Sequence, residues 1–136
     1  MSDSNKIVKL SSVAEIRQGF TFRERVAEDP QGNAHLVQIK DVREAGQWDL
    51  SMQLRPEILP KMDWQGKDQA KIVDDCVLLP CRGEYLKAHY LSVEERNESA
   101  LPIIASSQFL ILTPKPTILI EYLCWYLNQT TVQQRL

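Results

Sequence analysis

The chain has 136 residues, 43% of them hydrophobic and 25% charged, a composition of ordinary globular proteins that excludes fibrous, collagenous and low-complexity classes. A domain of this length hides roughly two-thirds of the surface its unfolded chain exposes, so a core can form without disulfides or a structural metal. Sixteen Lys and Arg against eighteen Asp and Glu leave a formal charge of −2, which argues against coating nucleic acid by bulk electrostatics but leaves room for a local basic site.

The longest apolar run, residues 102–112, is broken by Ser and Gln and falls short of the ~20 residues of a membrane-spanning helix. The opening MSDSNKIVKL carries no basic leader followed by an apolar stretch, so the expected location is the cytoplasm, with no membrane partner. In that compartment Cys76, Cys81 and Cys124 read as reduced thiols in or near the core.

Residues 7–10 (IVKL) read as a short strand entering a helical turn, with Ser12 and Glu15 at capping-box spacing and Gly19 ending the turn. Residues 23–35 combine charges with Pro30, Gly32 and Asn33, the chemistry of an exposed loop. In residues 36–40 (LVQIK), Val37 and Ile39 alternate with Gln38 and Lys40, the pattern of a half-buried strand. Residues 46–71, with Gly46, Pro56, Pro60 and Gly66, predict irregular chain with short elements. Residues 76–79 (CVLL) predict a strand, and Arg82-Gly83 the turn of a hairpin returning through Tyr85 to Leu91. Two more strands are expected in 102–113, then a helix over 118–127 with Ile118, Tyr122, Trp125 and Tyr126 near one stripe. Strands that neighbour one another, with helices near the ends, predict an α+β fold. Its expected form is a twisted, mostly antiparallel sheet with a short N-terminal helix and a C-terminal helix.

A search for catalytic patterns finds no Gly-rich phosphate loop, no GxSxG elbow and no HExxH helix. His35 and His89 read as surface or edge residues. Cys76, Cys81 and His89 lack the paired spacing of a zinc site. Asp74 or Asp75 with Glu84 and Lys87 approaches a metal-nuclease pattern, but Lys87 lies three residues beyond Glu84, which in a strand turns it to the opposite face. No catalytic residue, metal or cofactor is expected.

Arg23, Arg25, Lys40, Arg43, Arg82 and Lys87 lie in or beside the predicted loops, with Gln31, Asn33, Gln38 and Gln47 among them. Arg pairs bidentately with guanine, and Asn or Gln with adenine, so these side chains can read base edges. Exposed loops are polar in any protein, however, and composition alone does not single out DNA.

The order of landmarks adds to this. KLSSVAEIRQGFTF (9–22) is followed by VQIKDV (37–42), IVDDCVLLPCRG (72–83), ASSQFLIL (105–112) and IEYLCWYLNQTTVQQRL (120–136). The succession resembles the target-recognition domain of the specificity (S) subunit of type I restriction-modification systems, particularly short single-domain members. The resemblance implies one target-recognition domain over 1–136 that is not an enzyme and binds double-stranded DNA. Through it, a methyltransferase (M) subunit and a restriction (R) subunit would be directed to half of a split target. Its expected DNA-binding residues are Arg23, Arg25, Gln38, Lys40, Arg82, Lys87 and Ser107, while Gly19 and Gly83 are expected at unusual backbone angles and Phe20, Phe22 and Phe109 in the core. Residues 130–136 fall where the family continues into a spacer helix that meets the M subunit, which implies a cut-off helix there, frayed or held by a neighbouring chain. A lone domain would then self-associate to read an inverted repeat. The alternative is a protein-interaction module on the same fold that binds the M subunit without reading DNA.

Overall fold

Both faces of the strands Ala34–Val37, Cys76–Pro80 and Ile103–Ala105 are covered, which is why these strands read as apolar runs rather than as clean alternation, whereas the edge strand Ala14–Gln18 is mostly exposed. The computed structural model describes residues 10–48, 51–93 and 100–129. Its elements in chain order are α1 (Leu10–Val13), β1 (Ala14–Gln18), β2 (Ala34–Val37), α2 (Ile39–Trp48), β3 (Lys61–Met62), β4 (Cys76–Pro80), β5 (His89–Leu91), β6 (Ile103–Ala105), β7 (Phe109–Pro114) and α3 (Ile120–Leu127), with single 3-10 turns at Pro56–Ile58 and Asp68–Ala70. The α+β class, the antiparallel bias and the short N-terminal and C-terminal helices all match the expectation. The strands, however, form two sheets rather than one.

The larger sheet has the order β1-β7-β4-β5 and is antiparallel throughout. The smaller has the order β3-β2-β6, with β2 and β6 parallel. Val37, Ile103 and Ala105 of the small sheet meet Cys76, Leu78, Phe109 and Ile111 of the large one in the central core, joined by Val42 and Ala45 of α2. Alternate residues point the other way. Val77, Leu79 and Leu112 pack against Leu123, Cys124 and Leu127 of α3, while Ala34, Leu36 and Ile104 pack against Met62, Trp64 and the partly buried Phe22 and Val26. The molecule is therefore layered from α3 through the large sheet, the core and the small sheet to an outer aromatic cover.

Several local expectations are corrected. Residues 36–40 are not one strand: β2 ends at Val37 and α2 begins at Ile39, because side chains cap the first turn of a helix there. Ser12 lies inside α1 and Glu15 in β1, so no capping box forms. Gly19 follows a strand rather than a helical turn. His35 is a buried residue of β2, not a loop residue, and its Nδ1 lies 3.1 Å from the Leu59 carbonyl oxygen. His89 does occupy a sheet-edge strand, but it too is buried. The buried stripe of α3 is Leu123, Cys124 and Leu127, leaving Tyr122 and Trp125 53% and 57% exposed. Phe109 is core as expected, but Phe20 is 39% exposed. The strand expected at 7–10 is corrected at Leu10, which begins α1, while residues 7–9, the self-association segment and the cut-off helix expected at 130–136 lie outside the described residues.

Candidate nucleic-acid interface

The register of the two sheets gathers chain ends at one pole. Gln18 pairs with Leu110, Pro80 with Phe109 and Val37 with Ala105, so β1, β2, β4 and β6 all finish where β7 starts. The three-residue turn Ser106-Ser107-Gln108 between β6 and β7 stands at the centre of that pole. The Ser106 amide donates to the Val37 carbonyl at 3.0 Å, the Cys81 amide to the Gln108 carbonyl at 2.9 Å, and the Gly19 and Phe20 amides to Phe109 and Ala105 at 3.0 and 2.8 Å. Main chain from five strand ends is thus held together in one place.

Gln108 fastens the helix to this turn. Its Oε1 accepts from the Ile39 amide at 3.1 Å and from the Ser106 hydroxyl at 3.1 Å, while Asp41 Oδ2 accepts from the Gln38 amide at 2.8 Å. These bonds satisfy donors that a helix start leaves open. Burial raises the Asp41 pKa above the ordinary aspartate value, against the lowering effect of the Gln38 amide. Gln18 Nε2 donates to the Ser107 carbonyl at 3.2 Å, tying β1 to the same turn.

Gly19 is required at this pole by close approach, not by an unusual backbone angle. A Cβ there would stand 1.9 Å from the Ser106 carbonyl oxygen. Gly83, by contrast, has φ +82° and nothing within 4 Å of its Cβ position, so it serves the backbone of the β4–β5 turn. The returning arm of that turn is gripped at Ala88, whose amide donates to Asn128 Oδ1 at 2.7 Å and whose carbonyl accepts from Asn128 Nδ2 at 2.9 Å.

Of the seven side chains singled out from the sequence, five fall at this pole. Gln38 and Lys40 flank the start of α2, Ser107 is in the central turn, and Arg82 and Lys87 lie on the β4–β5 turn beyond Pro80. Lys40, Arg82 and Lys87 are exposed, Gln38 is half-buried and Ser107 is buried. Arg23 and Arg25 are exposed on the loop that leaves the pole after Phe20 and runs over the outside of the small sheet. Among the described residues neither of them is hydrogen-bonded to the central turn. The opposite pole, where β4 begins and β7 ends, has a cleft lined by Glu15, Asp74 and Asp75. Those aspartates are therefore separated from Glu84 and Lys87 by the length of β4, roughly 17 Å, and no metal-nuclease arrangement is assembled. Among the described residues no group of three His, Cys, Asp or Glu could hold a metal ion.

Two features were not found from the sequence. One is Gln108, whose signal was only a polar residue inside an apolar run. The other is a groove of about 790 Å³ along the edge of β1, lined by Arg17, Gln18, Phe20, Thr21, Lys67 and Gln69 among others. Burial pushes the Cys76 and Cys124 thiols up to about 12, whereas Cys81 is exposed at the pole rather than near the core.

No family model and no curated protein matches the sequence. Among solved structures, the fold is similar to the crystal structure of the HsdS subunit from Thermoanaerobacter tengcongensis. The match has a TM-score of 0.60 at 17% identity, over 88% of this chain and 26% of that one. The likeness is one of fold, and this chain spans about a quarter of that subunit's length. No helix among the described residues is long and apolar enough to cross a membrane.

Proposed function

We propose that this chain is a non-catalytic DNA target-recognition domain of the type I restriction-modification specificity kind. Double-stranded DNA and a methyltransferase subunit are its partners, and through the methyltransferase a restriction subunit. The observation that carries the reading is the coincidence of an HsdS-like fold with a pole where Gln38, Lys40, Arg82, Lys87 and Ser107 converge on one braced turn. Arg82 and Gln38 have the donor geometry to read base edges, and Lys40 and Lys87 suit phosphate contacts that fix register. Arg23 and Arg25 reach the DNA from the neighbouring loop. The cleft at the opposite pole sets three carboxylates against Lys115 alone, which favours presenting the Lys40, Arg82 and Lys87 pole to a polyanion despite a net charge of −2.

Selection from a randomised duplex library by the full chain tests this reading, and enrichment of a defined half-site is the expected result. Failure to enrich any sequence, with or without the methyltransferase subunit, would refute it. The protein-interaction alternative has its own support in the exposed Tyr122 and Trp125 of α3 and Leu119 just before it. In that case the methyltransferase subunit is bound and the library is left unselected.

A further inference from the structure

The groove beside β1 is built from two segments far apart in sequence. One wall is the end of β1 continuing through Gly19, Phe20 and Thr21; the other is the run from Gln65 to Ala70. Arg17 locks the walls together, its guanidinium donating to the Gln69 carbonyl at 2.7 Å and to the Lys71 carbonyl at 3.1 Å. Phe20 is braced edge-on by Phe22 and Trp64, with ring centroids 4.9 and 4.8 Å apart. The groove is therefore rigid on both sides, and it opens at the same pole as the central turn, since Gln18 lines it and bonds to Ser107.

Its chemistry has one sign. The lining carries Arg17, Lys67, Gln18, Gln65, Gln69 and Thr21 but no carboxylate. The nearby Asp68 is engaged by Lys71 at 2.8 Å. Other clefts mix signs: one sets Asp41 and Glu44 beside Arg55, another Glu15, Asp74 and Asp75 beside Lys115. Arg17 is committed to main-chain carbonyls, so Lys67 is the groove cation that an anionic ligand can engage. Gln69 and Thr21 supply neutral donors of the kind that bind phosphate oxygens.

We propose that this groove seats one sugar-phosphate strand of the bound duplex, with Lys67 on a phosphate and Gln69 and Thr21 as neutral partners, flanking the bases read at the β6–β7 pole. This rests on the DNA-recognition reading and adds a strand-positioning surface that carries no sequence information. Among the described residues the exposed Lys67 side chain makes no ion pair or hydrogen bond, so its replacement is expected to leave the fold intact, which a melting curve checks.

The test measures anisotropy of labelled duplexes with the full chain, wild type against Lys67→Gln and Lys67→Glu, on a selected site and on a scrambled one at several salt concentrations. Lys67→Gln is expected to weaken both duplexes by the same factor and to lower the slope of log K against log salt by about 0.9, the signature of one lost phosphate contact. Lys67→Glu is expected to weaken both further. Unchanged affinity and slope, or a loss confined to the selected site, overturns the proposal. A wild-type chain that prefers the selected site while Lys67→Gln behaves identically sinks the groove alone. A wild-type chain that binds neither duplex sinks the DNA reading with it.

Discussion

Gly19→Ala is the sharpest test of how the pole is built. The added carbon would lie 1.9 Å from the Ser106 carbonyl oxygen and 2.7 Å from that of Ala105, where nonbonded atoms rest at roughly 3.5 Å. Both obstacles are backbone, so no rotamer change relieves them. The Gly19–Phe20 segment must withdraw by on the order of 1 Å or more, which breaks the hydrogen bonds that the Gly19 amide donates to the Phe109 carbonyl and the Phe20 amide to the Ala105 carbonyl. Two lost hydrogen bonds at about 1 kcal/mol each, with overpacking of about 1–3 kcal/mol, predict a destabilisation of about 3–5 kcal/mol. Urea denaturation monitored by Trp fluorescence measures this, with Gly83→Ala as a control. The control introduces no clash and is expected to cost only about 1 kcal/mol, for a side chain at positive φ. A Gly19→Ala variant within about 0.5 kcal/mol of wild type would show that the two sheets are not fastened at this crossing, and the account of the pole would fail.

Arg82→Ala is expected to cost about 1–3 kcal/mol on the selected duplex and to relax preference at one base pair, whereas a loss uniform across sequences makes Arg82 a phosphate contact. Native alkylation with iodoacetamide at neutral pH should label Cys81 alone, because Cys76 and Cys124 are buried with pKa values near 12; labelling of all three before unfolding would contradict the packing of β4 and α3. Asp41 has a raised pKa, so the folded state holds its proton more tightly than the unfolded state. Its protonated form therefore favours folding below the ordinary value of 3.8, and that contribution disappears as pH rises through the raised folded value. Asp41→Asn should accordingly gain stability relative to wild type between pH 3 and pH 7, read from urea midpoints. A difference that is flat or narrows with rising pH would reverse the sign argued here.

The apolar runs CVLL and FLIL were legible as strands because each is buried on both faces, and the Arg82-Gly83 turn was legible because glycine marks its positive φ. Alternation misled at residues 36–40, where Val37 and Ile39 share a face on paper. The chain changes from strand to helix between them, under the control of Gln108, 69 residues away. On α3 the aromatic residues outweighed Leu123, Cys124 and Leu127 in the pattern, yet these smaller side chains fit the surface of the large sheet; Tyr122 and Trp125 stay outside, while Tyr126 packs partly against the same cluster. Gly19 was recognisable as a special position, but its cause was not: the obstacle is main chain from Ser106, which local sequence does not contain. The same applies to the groove beside β1, whose walls are joined by Arg17 reaching the carbonyls of Gln69 and Lys71. Side chains that sit in turns were legible as candidates; their convergence depended on strand register.

The most direct measurement is the methylome of the source strain with and without this gene. The account predicts adenine methylation at a defined two-part sequence when the gene is present, loss of that methylation when it is deleted, and a changed base at one position when Arg82 is replaced. An unchanged methylome on deletion, while the methyltransferase remains expressed, would contradict the assignment of this chain as a DNA target-recognition domain.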